Sequence, residues 1–229
     1  MHNALGRWTS FELGSAGQVL VCPLGSFEQH GPHLPLDTDT RIAQAIAERA
    51  LSAFSTDDVV LGPTFSVGAS GEHQDFVGTL SIGSEALATL LVEFVRSADA
   101  FRGVIFINGH GGNFDAINKA RQILANEKRN VIFWSPAITD ADLHAGEFET
   151  SLLLAIAPDV VRTDRFEEGV TELSEDDKLA LRQKGVAAVS PNGILGDPRG
   201  ASAQKGEQLL TVIESQLRQV ITEFLAASS

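Results

Sequence analysis

Apolar residues in this chain fall into short continuous runs that alternate with longer periodic stretches. The runs Val19–Leu24 ("VLVCPL"), Val59–Leu61, 104–107 ("VIFI") and Val131–Trp134 are the right length for strands buried on both faces. Segments 41–54, 84–101, 114–126, 148–156 and 205–226 carry apolar residues near a helical period and predict helices. The alternation predicts an α/β protein with a mostly parallel sheet and helices on both faces. Residues 163–184, rich in acids, read as a surface excursion, and 185–206, dense in turn formers ("SPNGILGDPRGASAQKG"), as a functional loop. Neither is a linker, so 1–229 is expected to be one domain.

In open sheets of this kind the ligand site lies beyond the carboxyl ends of the strands. Two polar, glycine-rich loops stand there: "GSFEQHGPHLPLDTDT" (25–40) and "NGHGGN" (108–113). Glu28 and His30 are two apart and share a side of an extended segment, and the turn "GPHLPL" can return Asp39 beside them. Imidazole nitrogen mixed with carboxylate oxygen suits zinc, manganese or iron better than calcium or magnesium, and His110 offers a further nitrogen. In "DLHAGEFETS" (142–151), His144 is placed in a loop and Glu149 in the first helical turn, with Gly146 allowing the break. Five ligands, Glu28, His30, Asp39, His110 and Glu149, exceed one tetrahedral site but suit two divalent metals bridged by Asp39. Such a pair acidifies water and polarises a carbonyl, which implies hydrolysis of an amide-like C–N bond. His144 is left facing substrate as the proton-transfer group.

Each motif also has a plainer reading. "EQH" alone is usually a surface pair, but four of the six histidines lie in such loops, which favours a metal site. His33 holds a turn or backs a ligand, and Asp37 is a candidate helix N-cap near Arg41. Glu72 and His73, in "GASGEHQDF", either line the substrate pocket or belong to a polar surface loop, and Gly111 joins them as a substrate-contact candidate. "NGHGGN" matches neither dinucleotide nor Walker phosphate loops. The acids of "EEGVTELSEDD" read as a solvated face, and 209–225 as a packing helix.

Composition narrows the partners. A hydrophobic fraction of 43% supports a sizeable core. A formal charge of −13 argues against nucleic acid, which needs clustered Lys and Arg. Cys22 is the only cysteine, which points to a reducing cytoplasm, and no run approaches the length of a membrane span.

Taken together, "GSFEQHGPHLPLDTD", "NGHGGN" and "HAGEFETS" resemble the creatininase family of metal-dependent amidohydrolases over nearly the whole chain. The resemblance implies a three-layer α/β/α fold, a two-metal hydrolase and a homo-oligomer. It carries Glu28, His30, Asp39 and His110 over as metal ligands, with His144 beside the substrate. The stretches "GASGEHQDFVGTLSIG" and "GVAAVSPNGILGDP" resemble a peptidase branch of the family. That implies a modified precursor peptide as substrate, cut near its C-terminus to release a cross-linked Val–Tyr-derived dipeptide. A small cyclic amide or formamide is the alternative substrate, and a non-catalytic metal- or nucleotide-binding scaffold the third reading. The chain departs from creatininase proper, whose loop reads like "NGHYEN" and places a metal-binding acid where Gly112 stands here. Glu149 is the expected replacement, with Glu147 as second choice and as a further catalytic candidate. Creatininase proper also places tryptophans near its substrate, whereas no second Trp lies between Trp134 and His144 here, which argues against creatinine as the substrate.

Overall fold

The computed structural model of the chain describes residues 4–13, 17–139 and 141–227. Strands β1 (Val19–Leu24), β2 (Val59–Leu61), β3 (Gly103–Asn108) and β4 (Val131–Trp134) form one parallel sheet in the order β2-β1-β3-β4. The two central strands pair from Val19↔Gly103 to Leu24↔Asn108, so both deliver their following loops to the same edge of the sheet.

The helices are α1 (Ser10–Leu13), α2 (Thr38–Leu51), α3 (Gly83–Ser97), α4 (Phe114–Asn126), α5 (Glu147–Ile156), α6 (Glu175–Lys184) and α7 (Ala203–Ala227). Alternate strand residues face opposite layers. Val19, Val21, Ile105 and Ile107 pack with α2, α5 and α7, where Leu152, Leu210, Ile213 and Leu217 are buried. Leu20, Cys22, Leu24 and Phe106 pack with α3 and α4, against Leu87, Leu91, Ile117 and Leu124. The result is the expected three-layer α/β/α sandwich with a parallel sheet.

The main departures from the sequence reading are at α2, α3 and α6. Helix α2 starts at Thr38 rather than 41 because both the Thr38 amide and its hydroxyl donate to the Pro35 carbonyl, at 3.3 and 2.7 Å. That puts Asp39 in the first turn, where a carboxylate is favoured by the exposed amides and the helix dipole. Helix α3 ends at Ser97 rather than 101, and single turns from Val95 to Ala98 and from Ala98 to Phe101 carry the chain towards β3. The excursion at 163–184 contains α6, which buries no residue; a capping box between Ser174 and Asp177 starts it, and it has little apolar period to read.

Candidate metal centre

The loop after β1 doubles back on itself. The Glu28 amide donates to the Leu36 carbonyl at 2.8 Å, His30 bridges to Leu34, and Gly31 turns the chain at φ 66°. This fold-back sends Glu28 and His30 inwards and brings the start of α2, with Asp39, alongside. From the neighbouring strand, Gly109 crosses so close to α2 that a Cβ there would lie 2.9 Å from the Asp39 carbonyl, and His110 is thereby set beside Asp39. Helix α5 contributes Glu149. Its first amides are capped by the Asp142 carboxylate, which accepts from Glu147 and, at 3.1 Å, from Phe148. Ala145, with φ 54°, holds the left-handed turn that separates His144 from the helix.

All five side chains converge. His110 Nε2 lies 3.1 Å from Glu28 Oε2, and its Nδ1 lies 3.2 Å from Asp39 Oδ2. His30 Nε2 lies 3.1 Å from Asp39 Oδ1 and 3.8 Å from Glu149 Oε2. Two ligand triads result, Glu28–Asp39–His110 and His30–Asp39–Glu149, each with its donor atoms within 4.8 Å of one another and sharing Asp39. Glu28, His30 and His144 form a third grouping of the same size.

The chemistry of this pocket is unusual for a protein interior. Both Glu28 carboxylate oxygens are buried and accept no hydrogen bond. A buried carboxylate with no hydrogen bond is costly, and a cation shared with the His110 imidazole, whose Nε2 is 3.1 Å away, would satisfy it. This is the observation on which the residues fit a metal pair. Burial pushes Glu28 up to about 7 against the pull of His110, and burial likewise lifts Glu149 to about 7. Burial opposes charge on His30, yet Asp39 raises it to about 10; His110 is raised to about 9 by Glu28 and Asp39 against the same opposition. Asp39, despite burial, is held well below the carboxylate range by His30 and His110. A cation bound among these groups would have to displace the protons on the two imidazoles.

His144 differs from these. Its Nε2 is 2.9 Å from the Gln29 carbonyl, which only accepts, so Nε2 carries the proton. The bare Nδ1 then faces the cluster, 3.8 Å from Glu28 Oε1. Burial and the nearby His30 push its pKa well below the usual value, which keeps the ring neutral. Gln29 also fixes His73. The Gln29 amide nitrogen lies 3.0 Å from the Gly193 carbonyl and 2.8 Å from His73 Nδ1, so its two protons serve both, and His73 Nε2 lies 3.3 Å from Glu28 Oε1 without the alignment of a hydrogen bond. Burial first, then His110, lowers His73 to about 3.

The remaining candidates are placed as follows. Glu72 reaches the rim, with Oε1 3.4 Å from His110 Nε2. Gly111, itself exposed, opens the single turn before α4. Glu147 is not brought to the cluster: it is half-exposed and pairs with Lys205 at 2.7 Å, because it precedes Glu149 by two residues and so lies well around the helix from it. His33 sits behind the site, bonded through Nε2 to Thr150 at 2.8 Å, and Asp37 makes no cap bond but pairs with Arg41. Three contributors had no sequence signal of their own. Gln29 is one, Ser26 donates to Asp39 Oδ2 at 2.7 Å, and Asn113 ties Ala69, Gly25 and Asn108 together between the loops.

The profile of the creatininase family, described as creatinine amidohydrolase, matches residues 6–221. The chain belongs to the creatininase family. Within it, the chain is 47% identical over 211 residues to a mycofactocin precursor peptide peptidase of Mycolicibacterium smegmatis, covering 90% of this chain and 85% of that one. It is 45% identical over 217 residues to the protein of the same description from Mycobacterium tuberculosis, covering 91% and 86%. A solved creatininase described as Zn–Zn type superposes with a TM-score of 0.78 at 25% identity, covering 96% of each chain. The creatininase fold therefore spans the three layers and the loops that hold the two triads.

Proposed function

We propose that this chain is a two-metal peptidase that hydrolyses an amide bond near the C-terminus of the modified mycofactocin precursor peptide, releasing the cross-linked Val–Tyr-derived dipeptide. The observation that carries the reading is the pair of triads sharing Asp39, with both Glu28 oxygens unpartnered and a bare His144 nitrogen beside them. The similarity to two mycobacterial peptidases supports the peptide substrate. When bound, two divalent ions, zinc, iron or manganese, supply the Lewis acidity that polarises the amide carbonyl and acidifies the attacking water. Glu28 and His110 would hold one ion and His30 and Glu149 the other, with Asp39 shared between the two triads. His144 Nδ1 takes the proton from the water and returns it to the departing amine nitrogen, while the Gln29 carbonyl keeps the ring in the tautomer this needs. His73 and Glu72 line the approach.

Trp134 packs into the apolar layer with α7 rather than at the site, which supports a substrate other than creatinine. A small cyclic amide or formamide, offered beside the precursor peptide in a mass-spectrometric cleavage assay, tests the choice: selective turnover of the small amide would overturn the peptide reading. Exposed Val77, Leu80 and Phe114, and the half-buried edge strand β4, support a homo-oligomer. Among the described residues no helix is long and apolar enough to cross a membrane. The lone, buried Cys22 fits a cytoplasmic setting.

A further inference from the structure

Glu72 meets the cluster by a route that depends on two glycines. A Cβ on Gly112 would lie 2.2 Å from Glu72 Oε1 and 2.4 Å from the Ala69 carbonyl, so the turn carrying Glu72 can rest against the His110 loop only because residue 112 has no side chain. On the other side, Gly185, at φ 79°, passes so close that its Cβ would lie 2.5 Å from the Glu72 carbonyl. The turn is clamped from both sides, and its carboxylate is aimed at the face of His110 that also meets Glu28. His110 Nε2 lies 3.4 Å from Glu72 Oε1 and 3.1 Å from Glu28 Oε2. Independently, Glu28 Oε2, the oxygen on that side, is buried without a hydrogen bond, which marks the space between the two carboxylates as a ligand position.

Exposure sets Glu72 apart from the other acids. Its side chain is 33% exposed, whereas those of Glu28, Asp39 and Glu149 are 0%, 2% and 14% exposed. It is thus the acid of the cluster that can move between the site and water without leaving a buried charge behind. Charge points the same way: two divalent cations against Glu28, Asp39 and Glu149 leave one positive charge, and a fourth carboxylate cancels it.

From this we infer that Glu72 is the outer, exchangeable carboxylate ligand of the metal held by Glu28, Asp39 and His110. The inference rests on the two-metal reading and assigns to Glu72 a role in metal retention rather than substrate contact alone. The test is calorimetric titration of the metal-free protein with Mn²⁺, comparing wild type, Glu72→Gln and Glu149→Gln, with metal-free melting as the folding control. Wild type should bind two ions. Glu72→Gln should keep one site unchanged and weaken the other by at least about 10-fold, the scale at which even supporting groups around a metal act. Glu149→Gln should weaken a site while leaving the site that responds to Glu72 in place. Should Glu72→Gln melt differently from wild type, Glu72→Asp gives the reading, with intermediate affinity expected from its shorter carboxylate. Two sites of wild-type affinity in the Glu72 variants would overturn the inference and leave the metal pair standing. Fewer than two ions in wild type would overturn both.

Discussion

Strand β1 and the loop that continues it are buried to the same depth but built for different ends. Val19–Leu24 is wholly buried, apolar, and satisfied by backbone pairing on both sides. Directly after it, Ser26, Glu28, His30 and His33 are equally enclosed, yet they gather charge that the interior does not solvate. Burial in the strand stabilises the fold by removing apolar surface from water, on the order of 25 cal/mol per Å². Burial in the loop works against stability and is retained because it tunes a site. A substitution in the strand should therefore damage folding and spare chemistry, and one in the loop should do the reverse.

The sharpest contrast starts in the core. Phe106→Ala, at a fully buried ring stacked on Phe133, should cost about 3–5 kcal/mol of unfolding free energy. Denaturant melts should show this while metal per folded subunit stays at the wild-type ratio; lost metal in the folded fraction would break the separation. In the loop, Glu28→Gln should lower turnover by about 10²–10³-fold, the scale seen when one preorganised electrostatic group is removed. Above pH 7, where the wild-type carboxylate is ionised, the same variant without metal should change stability by no more than about 1 kcal/mol, because relief of the buried charge is offset by loss of its pairing with His110, 3.1 Å away. A larger fall in metal-free stability would mean that the pairing with His110 outweighs the cost of burying the carboxylate.

Gln29→Leu addresses the orientation of His73, since the backbone carbonyl that orients His144 survives the change. It should leave metal content intact and reduce kcat by about 10–100-fold, with nitrogen NMR showing a mixture of His73 tautomers; unchanged kcat would remove Gln29 from the account. The smallest effect is on pH. His30 and His110 have folded-state values raised to about 10 and about 9 from 6.5, so their contribution is complete below about 6.5 and is lost as pH rises towards 9–10. His73, lowered to about 3, is neutral in both states above pH 7 and does not oppose this. Metal-free melting should therefore drop between pH 7 and 9, while the gap to the metal-loaded protein widens because a metal competes with those protons. A gap that narrows would reverse the sign of the linkage.

Much of the fold was legible because it is written in local pattern. The runs at Val19–Leu24, Val59–Leu61 and Val131–Trp134 coincide with β1, β2 and β4, and Phe114–Asn126 with α4. Helix α6 was not legible, since its stability is local capping with no buried face. At the site, strand-end position and residue type led to Glu28, His30, Asp39 and His110, which the structure brings together with Glu149. The separation of Glu149 from Glu147 depends on a rotation around α5 that only the Asp142 cap and the turn at Ala145 define. Gln29 was hidden because an amide between two motif residues looks like filler until its contacts with His73, His144 and Gly193 are seen. Glu72 was visible as a polar loop residue, but its approach to His110 rests on contacts across the fold with Gly112 and Gly185.

Asp39 is the residue on which both triads depend, so the most direct measurement is metal content per subunit together with cleavage of the modified precursor peptide, in wild type and Asp39→Ala. The account predicts about two metals in wild type and loss of both, along with cleavage, in the variant. Full metal loading and cleavage by Asp39→Ala, or little metal in wild type purified under metal-replete conditions, would contradict it.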